Sequence, residues 1–287
     1  MTLLKNDILA YILLDNRGYI GLIIESKNIC IPKVDIFCPT DNNNIIICQI
    51  YEVEKYHGIY KLQVIKLKEN DYEIMNTIKI LNKFINIIKI SNNRFITYCF
   101  FSHSITLFKL NENYLFQLKK KEFNYNIKNV FILNKDIIIP NFDNERLQIW
   151  KINEDNELTR IFNTNLQYSI QTLLKYDNIL LVYTSNFTYF IDINNYHIIK
   201  QIENLNKICC MTNTRNGNIL FGVKGNKGYD IIEYKFNNST CDLTKLKAIF
   251  NALYSDISHI LEMNNGNIIS YENYSNFIVI WNRKNEI

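Results

Sequence analysis

What this sequence lacks narrows its chemistry before anything else is read. No run approaches the ~18 consecutive apolar residues that a bilayer span needs, and the short apolar stretch Ile8 to Leu14 carries no small-residue cleavage site, so neither a membrane helix nor a secretory signal is expected. The 7 cysteines (30, 38, 48, 99, 209, 210 and 241) include no CxxC spacing, which removes the usual zinc and disulfide frameworks and leaves reduced core thiols. Phosphate-cradling loops of the GxxxxGK(S/T) or GxGxxG kind, HExxH, the GxSxG elbow and an EF-hand loop are all missing. One-sided charge is missing too: the formal +4 comes from 32 basic and 28 acidic residues spread along the chain, unlike a nucleic-acid footprint. The scarcity of glycine (8) and proline (3) beside abundant Asn, Ile, Lys and Tyr is the drift of an AT-rich genome, so recurrence of Ile or Asn alone means little.

What is present is a succession of short apolar runs: NIIICQI at 44–50, DIIIP at 136–140 and FIVIW at 277–281. Continuous runs of this length, with no sustained helical spacing, predict strands covered on both faces. With 47% hydrophobic and 21% charged residues, the chain has the composition of a folded globular protein.

The most orderly stretch is IKISNNRFITYCFFSHSITLFKL, residues 88–110, which reads as strand, Asn-Asn turn, strand, short polar turn, strand. It resembles the core of a WD repeat. Sliding that template along the chain places the strand-c aromatic position at Ile23, Ile65, Phe108, Trp150, Ile191, Tyr234 and Trp281, at intervals of 42, 43, 42, 41, 43 and 47. The family's period is ~40 to 45 residues. A polar turn precedes each position by 14 to 21 residues, for example Asp177-Asn178, Asn216-Gly217 and Asn265-Gly266, as hairpins require.

The resemblance implies an all-β fold, a seven-bladed β-propeller of four-stranded antiparallel blades at approximately 1–32, 34–80, 84–119, 127–162, 169–202, 207–250 and 256–282, forming a single domain. The ends are untidy. Only Thr2 to Leu4 remain for the first inner strand, and no outer strand follows Phe277 to Trp281, so the expected closure is incomplete, through a shortened chain or another chain pairing at that edge. The family's Gly-His and Trp-Asp pairs are absent, with Lys151 after Trp150 and Asn282 after Trp281. Ser102, Asn144 and Ser275 stand where the family favours a turn Asp that organises a buried network, and these departures keep a six- or eight-bladed count open. Kelch double glycines and sialidase-type Ser-x-Asp-x-Gly boxes are not found.

No catalytic, cofactor-binding or metal-binding residue is assigned. His57, His103, His197 and His259 fall in different blades without ligand spacing, and Lys119, Lys120 and Lys121 are placed on an outer edge strand, where lysines block edge pairing. The turns between strands b and c carry aromatics that a turn does not require: Tyr56 with His57, Phe101 with His103, Phe187, and Tyr274, with Asp143, Glu145 and Arg146 as a polar rim. Such groups are enriched at interface centres; the competing reading is that the rings fold back as local core. The expectation is a non-catalytic scaffold or adaptor, cytoplasmic with a nuclear place also open, that binds a protein or peptide on a propeller face, needing no cofactor. The alternatives are a structural subunit of a trafficking or ciliary type of assembly, or a propeller enzyme or lectin, since fold does not dictate function.

Overall fold

The structure is a computed structural model. It describes residues 2–3, 9–14, 20–24, 29–32, 34–40, 44–54, 57–68, 71–80, 86–91, 93–99, 102–144, 146–204, 207–225, 228–253, 257–263, 265–272 and 278–281. Every element among them is a strand. The first sheet is β1 (Thr2–Leu3), β2 (Leu9–Leu14), β3 (Ile20–Ile24) and β4 (Ile29–Pro32); the second is β5 (Val34–Pro39), β6 (Asn44–Glu54), β7 (His57–Leu67) and β8 (Tyr72–Ile80). The third is β9 (Asn86–Ser91), β10 (Arg94–Cys99), β11 (Ser104–Asn111) and β12 (Tyr114–Glu122); the fourth is β13 (Ile127–Asn134), β14 (Ile137–Phe142), β15 (Arg146–Ile152) and β16 (Leu158–Asn165). The fifth is β17 (Ile170–Tyr176), β18 (Ile179–Thr184), β19 (Phe187–Asp192) and β20 (Ile198–Glu203); the sixth is β21 (Ile208–Asn213), β22 (Asn218–Lys224), β23 (Tyr229–Asn237) and β24 (Asp242–Leu253). Among the described residues the last sheet has three strands: β25 (Ile257–Glu262), β26 (Ile268–Glu272) and β27 (Ile278–Trp281).

This corrects the expectation of seven four-stranded blades: six blades of four strands form, and the remaining sheet stays at three. At the chain's start Thr2 pairs with Ala10 and Leu3 with Leu9, so that β1 is used as the fourth strand of the first sheet.

Each sheet is a simple meander, and burial follows strand position. Among the described side chains the second strands are the most buried, as in β18, where all six residues of ILLVYT are covered. The fourth strands are largely exposed, as in β12 and β20. Continuous apolar sequence therefore marks a strand sandwiched between neighbouring sheets, and each fully buried Ile or Phe there contributes about 1.5–3 kcal/mol of transfer free energy. The apolar clusters lie between successive sheets: Ile31 and Val34 meet Ile45, Ile47 and Ile65; Cys38, Ile46 and Leu62 meet Phe95, Cys99 and Phe108; Ile96, Ile105 and Leu107 meet Ile127, Ile138 and Phe142.

The chain divides into two compact units, Met1–Thr164 and Asn165–Ile287. In the first, β5 packs beside β9; in the second, β17 packs beside β21 and β21 beside β25, so that opening strands of successive sheets are neighbours. In the second unit Leu181 and Phe190 pack on Phe221 and Ile232, and Leu220 and Ile231 on Ile257 and Ile260.

The repeat recognised in the sequence has a backbone counterpart. Where the third strand pairs with the fourth, the register shifts at Val64/Ile65, Leu107/Phe108, Phe190/Ile191 and Glu233/Tyr234. The recurring position is therefore a recurring β-bulge, which sharpens twist in every blade where it is seen. Polar links between neighbouring sheets carry the same period: the Arg94 guanidinium donates to Lys135 O and Asp136 Oδ1 (2.9 and 2.5 Å), Tyr176 Oη donates to Gly217 O, and Lys200 Nζ reaches Asp242 (2.6 Å).

Candidate functional site

Antiparallel order brings the turn between the second and third strands of each sheet to the same end as the link into the next sheet. The sequence-predicted residues fall on these turns, or outside the described residues in the case of Tyr56, Phe101, Glu145 and Tyr274. His57 opens β7, and its side chain is likewise outside the description. In the first unit, His103 sits in the left-handed region (φ 47°) between β10 and β11; its carbonyl accepts the Phe123 N–H at 2.8 Å, while its buried Nδ1 has no hydrogen-bond partner. Asp143 is exposed and accepts the Asn126 amide at 2.6 Å, and Arg146 is exposed at the start of β15. Asn144 beside them buries both amide atoms without a partner. Phe123 packs on Phe142 and Trp150 (5.3 and 5.1 Å), whereas Tyr125, 6.0 Å from Phe142, is partly exposed.

The second unit holds the best-defined turn. Phe187, half-buried at the start of β19, stacks on Tyr168 from the link before β17, with ring centroids 5.9 Å apart and planes 30° from parallel. Tyr189 lies 6.2 Å away, on the same face of the strand, and its hydroxyl accepts the Gln167 N–H. A polar network holds the turn. Thr184 Oγ1 donates to Phe187 O at 2.9 Å and accepts the Phe187 N–H at 3.2 Å. Asn204 donates to Thr184 O at 2.9 Å and accepts the Thr188 hydroxyl at 2.6 Å. Buried Thr184 and Thr188 with Asn204 thus do locally what the family's turn Asp was expected to do. The sequence signal for this was only two threonines four apart, too common to single out.

One tyrosine position recurs as a lock between sheets. Tyr98, fifth residue of β10, donates to Asn129 of β13 (3.1 Å), and Tyr183, fifth residue of β18, accepts the Ile208 N–H of β21 (2.9 Å). Burial pushes the Tyr98 hydroxyl up to about 12 and raises that of Tyr183.

At the opposite end of the sheets, in the first unit, a cleft of about 660 Å³ is lined by Arg94, Asp136 and residues 151–155. The ion pair between Arg94 and Asp136 occupies its charged wall. Lys119, Lys120 and Lys121 lie on the fourth strand β12: Lys119 pairs with Glu157, Lys120 with Glu122, and Lys121 sits 5.7 Å over the Trp150 ring. Among the described residues no group of three His, Cys, Asp or Glu side chains could hold a metal ion, and no helix is long and apolar enough to cross a membrane.

No protein-family model matches the sequence, and no curated protein matches it. Solved structures do. A protein of Bacteroides fragilis NCTC 9343, provisionally designated a 6-phosphogluconolactonase, is similar over 95% of this chain and 88% of its own, with 12% identity and a TM-score of 0.66. The WD40 β-propeller domain of Doa1 is similar over 96% and 90% of the two chains, with 11% identity and a TM-score of 0.63. The β-propeller domain of Cps50 (Swd1) from Myceliophteria thermophila covers 88% and 84%, with 12% identity and a TM-score of 0.66. At these identities the likeness speaks for architecture alone: the chain has a β-propeller fold, shared with WD40 domains among others.

Proposed function

We propose that this protein is a non-catalytic interaction scaffold or adaptor, working in the cytoplasm, that binds a protein or peptide partner through the end of the sheets carrying the turns between second and third strands. One observation carries this reading: the half-buried Phe187–Tyr168 pair is presented on a turn already locked by Thr184 and Asn204. A ring held in place before binding loses little freedom on binding, and aromatic residues of this kind dominate interface energetics. The WD40 neighbours agree with it. A photo-crosslinking residue placed at exposed Asn186, compared with one at exposed Asn238 on the opposite end, tests the reading in the native organism's extract. Capture from position 186 that Phe187→Ala abolishes is the expected result; equal capture from both positions overturns it. The lactonase-type neighbour prompts a second check, hydrolysis of 6-phosphogluconolactone, where turnover above the buffer rate would overturn the non-catalytic assignment.

The alternative reading, a structural subunit of a larger assembly, is favoured by one feature. Strand β27 is the outer strand of its sheet among the described residues, and Ile280 there is 55% exposed. An open strand edge accepts a strand from another chain. Size-exclusion chromatography with light scattering of an Ile280→Lys variant separates the two: loss of a native complex that Phe187→Ala leaves intact supports the subunit role.

A further inference from the structure

We propose that the Tyr168–Phe187 pair, together with Glu203, is a receptor for a single cationic side chain, and that the partner therefore presents an arginine or lysine to this turn. This rests on the reading of that end of the fifth sheet as a binding face and specifies its ligand. Phe187 and Glu203 are directly opposed in the β19–β20 ladder. Opposed residues of an antiparallel pair project on the same face with Cβ atoms about 4.5–5.5 Å apart. Glu203 and Phe187 are therefore neighbours on one face of the sheet, with the carboxylate within reach of the stacked rings. Glu203 is exposed and makes no ion pair or side-chain hydrogen bond among the described residues, and Lys200, three residues before it, is engaged by Asp242.

An unpaired carboxylate next to a half-buried aromatic pair is an unbalanced arrangement for a solvent-facing turn. A carboxylate attracts a cation by charge, and an aromatic face attracts the same cation through its quadrupole when the charge lies within about 6 Å of the ring centroid. An apolar ligand would leave the carboxylate to be desolvated without compensation, and an anion would be repelled by it. Guanidinium satisfies both elements at once, since its plane stacks on a ring while its edge donates to the carboxylate. Elsewhere in this molecule the same pairing is already realised internally, with Lys121 lying 5.7 Å over Trp150. Among the described residues no cation lies over the Phe187 or Tyr168 ring.

The test uses the full chain, with N-acetyl-arginine methylamide as probe and the neutral N-acetyl-citrulline methylamide as its isostere. Aromatic carbon–proton NMR signals of Phe187 and Tyr168 are followed during titration, assigned through Phe187→Leu and Tyr168→Phe. The expected result is a saturable shift of both rings with the arginine probe. The citrulline probe should bind more weakly, and Glu203→Gln should weaken the arginine probe about two- to fivefold, as befits one exposed charge contact, without altering thermal stability. Equal binding of the two probes, indifference to Glu203→Gln, or no saturable shift up to the solubility of the arginine probe each overturns the proposal. The parent reading fails separately. If crosslinking from position 186 still depends on Phe187 but is unaffected by Glu203→Gln and by competing arginine probe, the face stands and the cation assignment falls.

Discussion

Gly222 in β22 occupies a place where an added methyl has no room: a Cβ there would lie 2.8 Å from Cys210 Sγ, 3.3 Å from Ile260 Cδ1 and 3.4 Å from Ile257 Cβ. Gly222→Ala is expected to cost about 1–3 kcal/mol by overpacking, read as a lower urea midpoint at unchanged m. Cys210→Ala in the same chain should recover part of that loss, because the nearest obstacle is the sulfur. The thiols themselves make a second prediction. Burial pushes Cys38 and Cys210 up to about 12 from an ordinary 9.0, so the native state keeps protons that the unfolded chain has released. The stability they contribute is complete below pH about 9 and drains away as pH climbs toward 12. Thermal melts across that interval should fall more steeply for the wild type than for Cys38→Ala. Alkylation of the native protein should modify half-buried Cys209 well before Cys38, Cys48, Cys99 or Cys210, as peptide mass spectrometry would register. The cysteines were legible as core residues from their apolar surroundings; which one of the adjacent pair faces outward required the register of β21.

Strands in this protein are held to the next sheet by side chains whose meaning depends on pairing. Tyr183→Phe removes the hydroxyl that accepts the Ile208 N–H and is expected to cost about 1–2 kcal/mol, measured by chemical denaturation. Asn204→Ala breaks two bonds of the turn network, so amide exchange at Phe187 should accelerate while exchange in buried β18 stays slow. The third-strand position repeating every 41 to 43 residues from Ile23 to Tyr234 was visible in the sequence because burial imposes the same residue class each time. Its identity as a bulge was not visible, since a register shift is a property of two strands together. The Phe187 turn shows the same division. The aromatic could be picked out as excessive for a turn, but Tyr168 and Glu203 are 19 and 16 residues away along the chain and meet it only through the link and the ladder.

Across the whole molecule, the three-stranded last sheet sets a behaviour that no single residue announces. Its outer strand β27 leaves backbone donors and acceptors without a ladder partner among the described residues, an arrangement prone to edge-to-edge association. Ile280→Lys should change folding stability by no more than about 0.5 kcal/mol, as exposed substitutions usually do, yet slow concentration-dependent aggregation followed by light scattering. Stability elsewhere is distributed over repeated interfaces between sheets, so destabilising substitutions in β18 and in β6 should add nearly independently.

By itself the amino-acid sequence pointed to an all-β chain, to strands recurring with a period near 42, and to continuous apolar runs as strands covered on both faces; each of these is a local consequence of which residues tolerate burial in a pleated chain. Tertiary structure alone decided where the bulges fall and which aromatic is opposed to which acidic residue. Those outcomes hinge on pairings between segments apart along the chain, such as Phe187 opposite Glu203 across β19 and β20, and no periodic pattern of burial records such a choice.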